Sequence, residues 1–183
     1  YFPAKDGDWD PRPFAVSGDL ATTVEELEFQ AADGTRLHGW LCRPNRQPRP
    51  GTFEPVDTDW LVLCCHGNAG NLSGRRTKIS VLNQLPAYVF MFDYRGYGKS
   101  AGSPNEKGLY QDVRAAWDLM VARGFRPERI IVHGTSLGGG PAVDLAVNVR
   151  PAALVTESAF TSVPDMAAAA YPFVPRFLVR TKF

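Results

Sequence analysis

The sequence predicts an α/β fold: a mostly parallel sheet with helices on both faces, entered through an N-terminal antiparallel hairpin. Three observations carry that reading. Four apolar, nearly charge-free runs at residues 60–65, 88–92, 129–133 and 152–156 alternate with stretches of helical character. Two shorter segments with alternating apolar positions precede them around a turn signal. The first three runs each end in a glycine-rich loop, and catalytic loops of such sheets sit at the carboxyl ends of the strands.

Residues 1–20 are rich in proline and aromatics (Phe2, Pro3, Trp9, Pro11, Pro13, Phe14) without periodicity. They read as an extended segment packing its aromatics onto one domain that spans 21–183. Residues 26–30 and 36–42 read as strands, with Leu27, Phe29, Leu37 and Leu41 in alternation and Ala32-Asp33-Gly34 as the turn. His38 on this hairpin reads as structural. The prolines at 44, 48, 50 and 55 make residues 43–59 a loop. The run 60–65 is apolar throughout, as a central strand covered on both faces should be. It leads into His66-Gly67-Asn68-Ala69-Gly70-Asn71, and a helix is expected over 75–85. The run 88–92 ends in Asp93-Tyr94-Arg95-Gly96-Tyr97-Gly98. Asn105-Glu106 opens a strong helix with Leu109, Val113, Trp117 and Met120 on one face, and Gly124 stops it. The strand at 129–133 enters Gly134-Thr135-Ser136-Leu137-Gly138, a helix follows to Val149, and 152–156 is a sixth strand. Short helices are expected over 158–183.

A net charge of +1 over 183 residues offers no basic field for nucleic acid. No apolar run approaches the length of about twenty residues needed to span a bilayer. The first residue is Tyr1, so a signal or anchor upstream stays open, and a cytoplasmic or membrane-associated location is expected. The three cysteines do not form a disulfide framework. Cys64 and Cys65 are adjacent, so a strand points them to opposite faces. With no Cys-x-x-Cys and no clustered histidines, neither a metal nor a cofactor is expected.

Gly134-Thr135-Ser136-Leu137-Gly138 fits Gly-x-Ser-x-Gly between a strand and a helix. In that context the serine is forced into a strained backbone conformation, and flanking glycines keep Cβ atoms from colliding. The following helix aims its N-terminal N–H groups where negative charge develops. Ser136 is the candidate nucleophile. A second match, Gly98-Lys99-Ser100-Ala101-Gly102, has neither strand nor helix beside it, so Ser100 reads as a loop residue. Gly98-Lys99-Ser100 also resembles the end of a phosphate-binding loop, but Asp93 stands where its first glycine is required.

The three loops together resemble the alpha/beta-hydrolase superfamily, in the lysophospholipase-like and serine-aminopeptidase-like branch with His-Gly-Asn-Ala-Gly-Asn, Asp-Tyr-Arg-Gly-Tyr-Gly-Lys-Ser and Gly-x-Ser-Leu-Gly-Gly. The resemblance implies an alpha/beta-hydrolase fold and a serine hydrolase that cleaves an ester, thioester or amide through an acyl-enzyme on Ser136. Its oxyanion hole would be the backbone N–H of Leu137 and that of Asn68, with Ala69 as the fallback. His66, Gly67, Gly134 and Gly138 would support these loops, His66 by holding its own loop and not by taking protons. Asp93 and Arg95 would brace the loop after their strand, and His133 would pack. The family's order is Ser, then Asp or Glu, then His. No histidine follows Ser136 here. Glu157 is not assigned as the triad acid, and Asp144 and Asp165 read as helical or loop-bound. The resemblance therefore implies a chain that lacks the last strands with their Asp and His, and little activity in these residues alone. The alternative is a non-catalytic hydrolase-fold binding or interaction module. The expected partner is a small-molecule or acylated substrate and no nucleic acid; membrane association would come from a segment upstream of Tyr1. Oligomeric state is not legible.

Overall fold

A computed structural model describes residues 1–160 apart from 8, 11, 18 and 19, together with residue 162. The strands are β1 (Phe2–Pro3), β2 (Phe14–Ser17), β3 (Leu20–Gln30), β4 (Arg36–Arg46), β5 (Glu54–Pro55), β6 (Leu61–Cys65), β7 (Ala69–Gly70), β8 (Tyr88–Asp93), β9 (Ile130–Thr135) and β10 (Ala153–Glu157). The helices are α1 (Arg76–Leu82), α2 (Glu106–Ala122) and α3 (Gly139–Val149). The main sheet runs β10-β9-β6-β8-β4-β3-β2, with β5 added to β4. From β10 to β8 the pairings are parallel, and β4, β3 and β2 are antiparallel. This is the α/β architecture the alternation predicts, with β6 and β9 as neighbours.

Each strand divides its side chains between two cores, because successive residues point to opposite faces. Leu61, Leu63 and Cys65 pack with Leu109, Val113, Met120, Ala142 and Leu145, so α2 and α3 cover one face. Val62 and Cys64 pack with Trp40, Leu72 and Ile79, so α1 covers the other. The four apolar positions expected on α2 are all buried, and Asn105 caps the helix by accepting from the Gly108 N–H at 2.8 Å.

Several boundaries differ from the sequence reading. β3 starts at Leu20, six residues before the expected strand, and pairs with β4 as far as Arg46. The alternation fades before Glu26 because polar Thr22 is buried against Asn83, at 2.8 Å between Thr22 Oγ1 and Asn83 Oδ1. β4 runs through Pro44 into what reads as a loop. Its last residue paired with β8 is Cys42, opposite Val89, so a residue without an N–H is tolerated beyond that point. The helix expected over 75–85 is shorter, a 3-10 turn at Leu72–Arg75 followed by α1. Within the first twenty residues, β2 forms the sheet edge, and Trp9 packs edge-on against His38 and Trp40. Phe2 does not pack inward; it is 73% exposed. The helices expected over 158–183, and Asp165 with them, lie outside the described residues, save the short stretch to Phe160 and Ser162.

Candidate active site

Ser136 follows β9 directly and takes φ 50°, the left-handed region that a residue with a Cβ enters at a cost of about 1–2 kcal/mol. A single 3-10 turn, Ser136–Gly138, then runs into α3. Neither flanking glycine has positive φ; what each provides is close approach. A Cβ on Gly138 would stand 2.1 Å from the Cys65 carbonyl oxygen, and one on Gly134 2.6 Å from the Gly138 carbonyl oxygen. The start of α3 can therefore lie against the end of β6, which brings the elbow beside the loop that leaves β6. A Cβ on Gly67 would stand 3.6 Å from the Ser136 Cβ, so the two loops touch at ordinary van der Waals separation.

The loop after β6 is held from several sides. His66 is buried, its Nδ1–H donates to the Gly67 carbonyl at 2.8 Å, and its ring lies 4.5 Å from that of Tyr94. Its Nε2 faces Asp93 Oδ1 at 3.4 Å. Among the described residues no hydrogen bond joins His66 to Ser136. Tyr94 donates its hydroxyl to the His66 carbonyl at 2.9 Å, and Tyr97 donates to Asn68 Oδ1 at 2.9 Å. Asp93 Oδ1 accepts the Leu72 N–H at 2.8 Å, tying the end of β8 to the far end of the loop. Arg95 is locked beneath, with Nη2 and Nε on Asp112 Oδ1 at 2.8 and 3.0 Å and Nη1 on Asp33 Oδ2 at 2.7 Å. Ser100 lies in a loop, as read, yet is buried: it donates to the Asp93 carbonyl at 2.6 Å and accepts the His38 N–H at 3.0 Å.

Below the elbow a cavity of about 110 Å³ is lined by His66, Gly67, Arg75, Lys78, His133 and Glu157 among others. Glu157 ends β10 and accepts from Lys78, with His133 Nε2 3.2 Å from its Oε2. Burial, with Lys78 adding to it, holds His133 below its ordinary pKa. The hydrogen bond from Lys78 lowers the Glu157 carboxyl from its ordinary pKa. His38 Nε2 lies 2.5 Å from Glu26 Oε1, on the antiparallel side of the sheet. Each of the chain's three histidines is therefore engaged away from the Ser136 hydroxyl.

Residues 56–182 match the family described as serine aminopeptidase S33, Hydrolase_4. The chain belongs to this alpha/beta-hydrolase family. Uncharacterized protein Rv2307c of Mycobacterium tuberculosis is 39% identical over 96% of this chain and 57% of its own length. The Arabidopsis thaliana alpha/beta hydrolase domain-containing protein WAV2 is 36% identical over 87% of this chain and 50% of its own. This S33-family chain thus spans about half the length of the curated relatives it matches. Among solved structures, the Pyrococcus furiosus esterase Pf2001 has the same fold, with a TM-score of 0.70 at 21% identity over 97% of this chain and 65% of the esterase. An alpha-beta hydrolase from Vibrio vulnificus gives 0.65 at 26% identity over 83% of this chain and 50% of that one.

The sequence reading placed Ser136, Leu137, Asn68, His66 and Gly67 together, and the two loops that carry them do meet at the carboxyl ends of neighbouring strands. It assigned no site role to Tyr97, Asn71, Lys78 or Phe2. Tyr97 and Asn71 stand inside the quoted motifs, and that was their one signal. Lys78 and Phe2 carry none, since their contacts lie 79 and 66 residues away along the chain.

Proposed function

We propose that this hydrolase-family chain carries the nucleophile and oxyanion hole of a serine hydrolase acting on an ester, thioester or amide. The observation that carries the reading is Ser136 at φ 50° between β9 and α3, a strained elbow beside the glycine-rich loop after β6. Ser136 Oγ attacks the substrate carbonyl carbon, and its proton passes to a histidine base. The carbonyl oxygen, now an oxyanion, accepts from the Leu137 and Asn68 backbone N–H groups. Collapse expels the alcohol, thiol or amine, which takes up the proton, and water then releases the acyl group by the same path in reverse. In the family's order the base follows the serine, and His38, His66 and His133 all precede it.

The test uses the protein expressed from its whole reading frame. A fluorophosphonate should label Ser136, and p-nitrophenyl acyl esters should be hydrolysed. Ser136→Ala should remove the label and lower turnover by about a thousandfold or more. A whole-frame protein that neither takes the label nor cleaves any ester, thioester or amide would point instead to a non-catalytic binding module.

A further inference from the structure

The first seven residues run along the loop after β6, and their hydrogen bonds go to that loop and to the loop after β8. β1 pairs in parallel with β7, Phe2 opposite Ala69 and Pro3 opposite Gly70. The Phe2 N–H donates to Asn68 Oδ1 at 3.0 Å, the same oxygen that accepts from Tyr97. The Ala4 carbonyl accepts from Asn71 Nδ2 at 3.0 Å and from the Gly98 N–H at 2.8 Å, so one oxygen joins the loop after β6 to the loop after β8. The second Nδ2 hydrogen of Asn71 goes to the Asp6 carbonyl at 2.7 Å. Its Oδ1 accepts from the Ser73 N–H at 3.0 Å and from Ser73 Oγ at 2.6 Å. Asn71 is 4% exposed, so these bonds form out of water, where leaving one unmade is costly. Lys5 Nζ donates to the Ser100 carbonyl at 2.7 Å. Residues 2–7 are not among the side chains of the two cores, against which Trp9 and Phe14 pack. The hydrogen bonds of residues 2–6 thus go to the two loops.

Resting on the serine-hydrolase reading, we propose that residues 2–7 are a strap that, by gripping the Asn68 side chain and Asn71, holds the Asn68 backbone N–H where the oxyanion forms, with Asn71 and the Phe2 N–H as its positioning groups. An oxyanion donor acts only while fixed close to 3 Å from the developing charge, so a loosened loop loses transition-state binding more than substrate binding. Nothing in the hydrolase motifs includes this segment. It meets the loop from more than sixty residues away in the chain.

The whole-frame protein tests this with Asn71→Ala, which removes both donors to the strap, and with Phe2→Pro, which deletes one N–H at an exposed position. Each should lower kcat on p-nitrophenyl butyrate about tenfold or more with KM within about twofold, and slow fluorophosphonate labelling of Ser136 to match. Hydrogen exchange should quicken at residues 68–71 and stay unchanged in β6, β8 and β9. A purely structural role would instead quicken exchange across the sheet and reduce the active fraction without changing the rate of the remainder. If Asn71→Ala fails to fold, Phe2→Pro alone decides. Variants whose loop exchanges faster but whose kcat and labelling rate equal those of the parent overturn the strap alone. A parent protein that takes no label overturns the hydrolase reading and the strap's positioning role with it.

Discussion

A serine hydroxyl is an ordinary alcohol until its backbone and surroundings make it otherwise. At Ser136 the first requirement is met by one backbone angle, φ 50°, which a residue with a Cβ keeps only when its surroundings over-determine it. Gly134 and Gly138 supply that constraint by letting β6, β9 and α3 approach to a spacing no other residue permits. The cysteines show the opposite use of burial. Cys64 packs with Trp40 and Ile79 and Cys65 with Leu63 and Leu137, on opposite faces of β6. Burial pushes the Cys64 thiol up to about 12, and the Cys42 and Cys65 thiols are raised as well. The thiolate is the reactive form, so all three should be inert to Ellman's reagent in the folded protein and should titrate as three thiols in guanidinium chloride. Prompt reaction of one thiol without denaturant would mean that β6 or β4 is less enclosed than described.

Among the elements, the junction of β6, β9 and α3 decides the geometry of the site. A Cβ on Gly138 would meet a backbone carbonyl, which cannot rotate away as a side chain would. Gly138→Ala should therefore destabilise the fold by about 2–3 kcal/mol. Gly74→Ala, where nothing lies within 4 Å of the added carbon, should change stability by less than about 0.5 kcal/mol. Urea unfolding of the two variants checks the contrast, and equal midpoints would show that α3 does not press on β6. The same scale explains which boundaries the sequence misplaced. β6, β8 and β9 are covered on both faces, so their apolar runs mark them within one or two residues. β3 carries Thr22 and Glu25 where pairing with β4 and polar side-chain bonds replace apolar burial, and its first six residues were not legible.

Across the whole molecule, buried polar groups join elements that the chain keeps far apart. Arg95 ties the β3–β4 turn to α2 through Asp33 and Asp112, and His133 on β9 meets Glu157 on β10 beside Lys78 on α1. His133 gives stability a pH dependence whose sign follows from its environment. Burial first, then Lys78, lowers its folded pKa from the ordinary 6.5, so the unfolded chain binds the proton more readily. The stabilisation is complete above about pH 6.5 and is lost as pH falls from there through the folded value. Denaturant midpoints should drop over that interval, and His133→Gln should flatten the drop. A profile unchanged by the substitution would place the acid sensitivity on other groups.

The sequence by itself determined the alternation of strands and helices, the two-sided burial of the central strands and the residues of the elbow, because these follow from side-chain period and from what glycine and serine allow locally. The sheet order β10-β9-β6-β8 came with the tertiary structure. Only the tertiary structure decided what surrounds Ser136. The engagement of His66 with Asp93 and Tyr94, the meeting of His133 with Glu157, and the hold of residues 2–7 on Asn68 and Asn71 are contacts between segments tens of residues apart. Periodicity records which face a residue takes within its own element. It carries no information about which distant carbonyl or carboxylate the fold will set opposite a given side chain, and at this site those pairings decide where each polar group points.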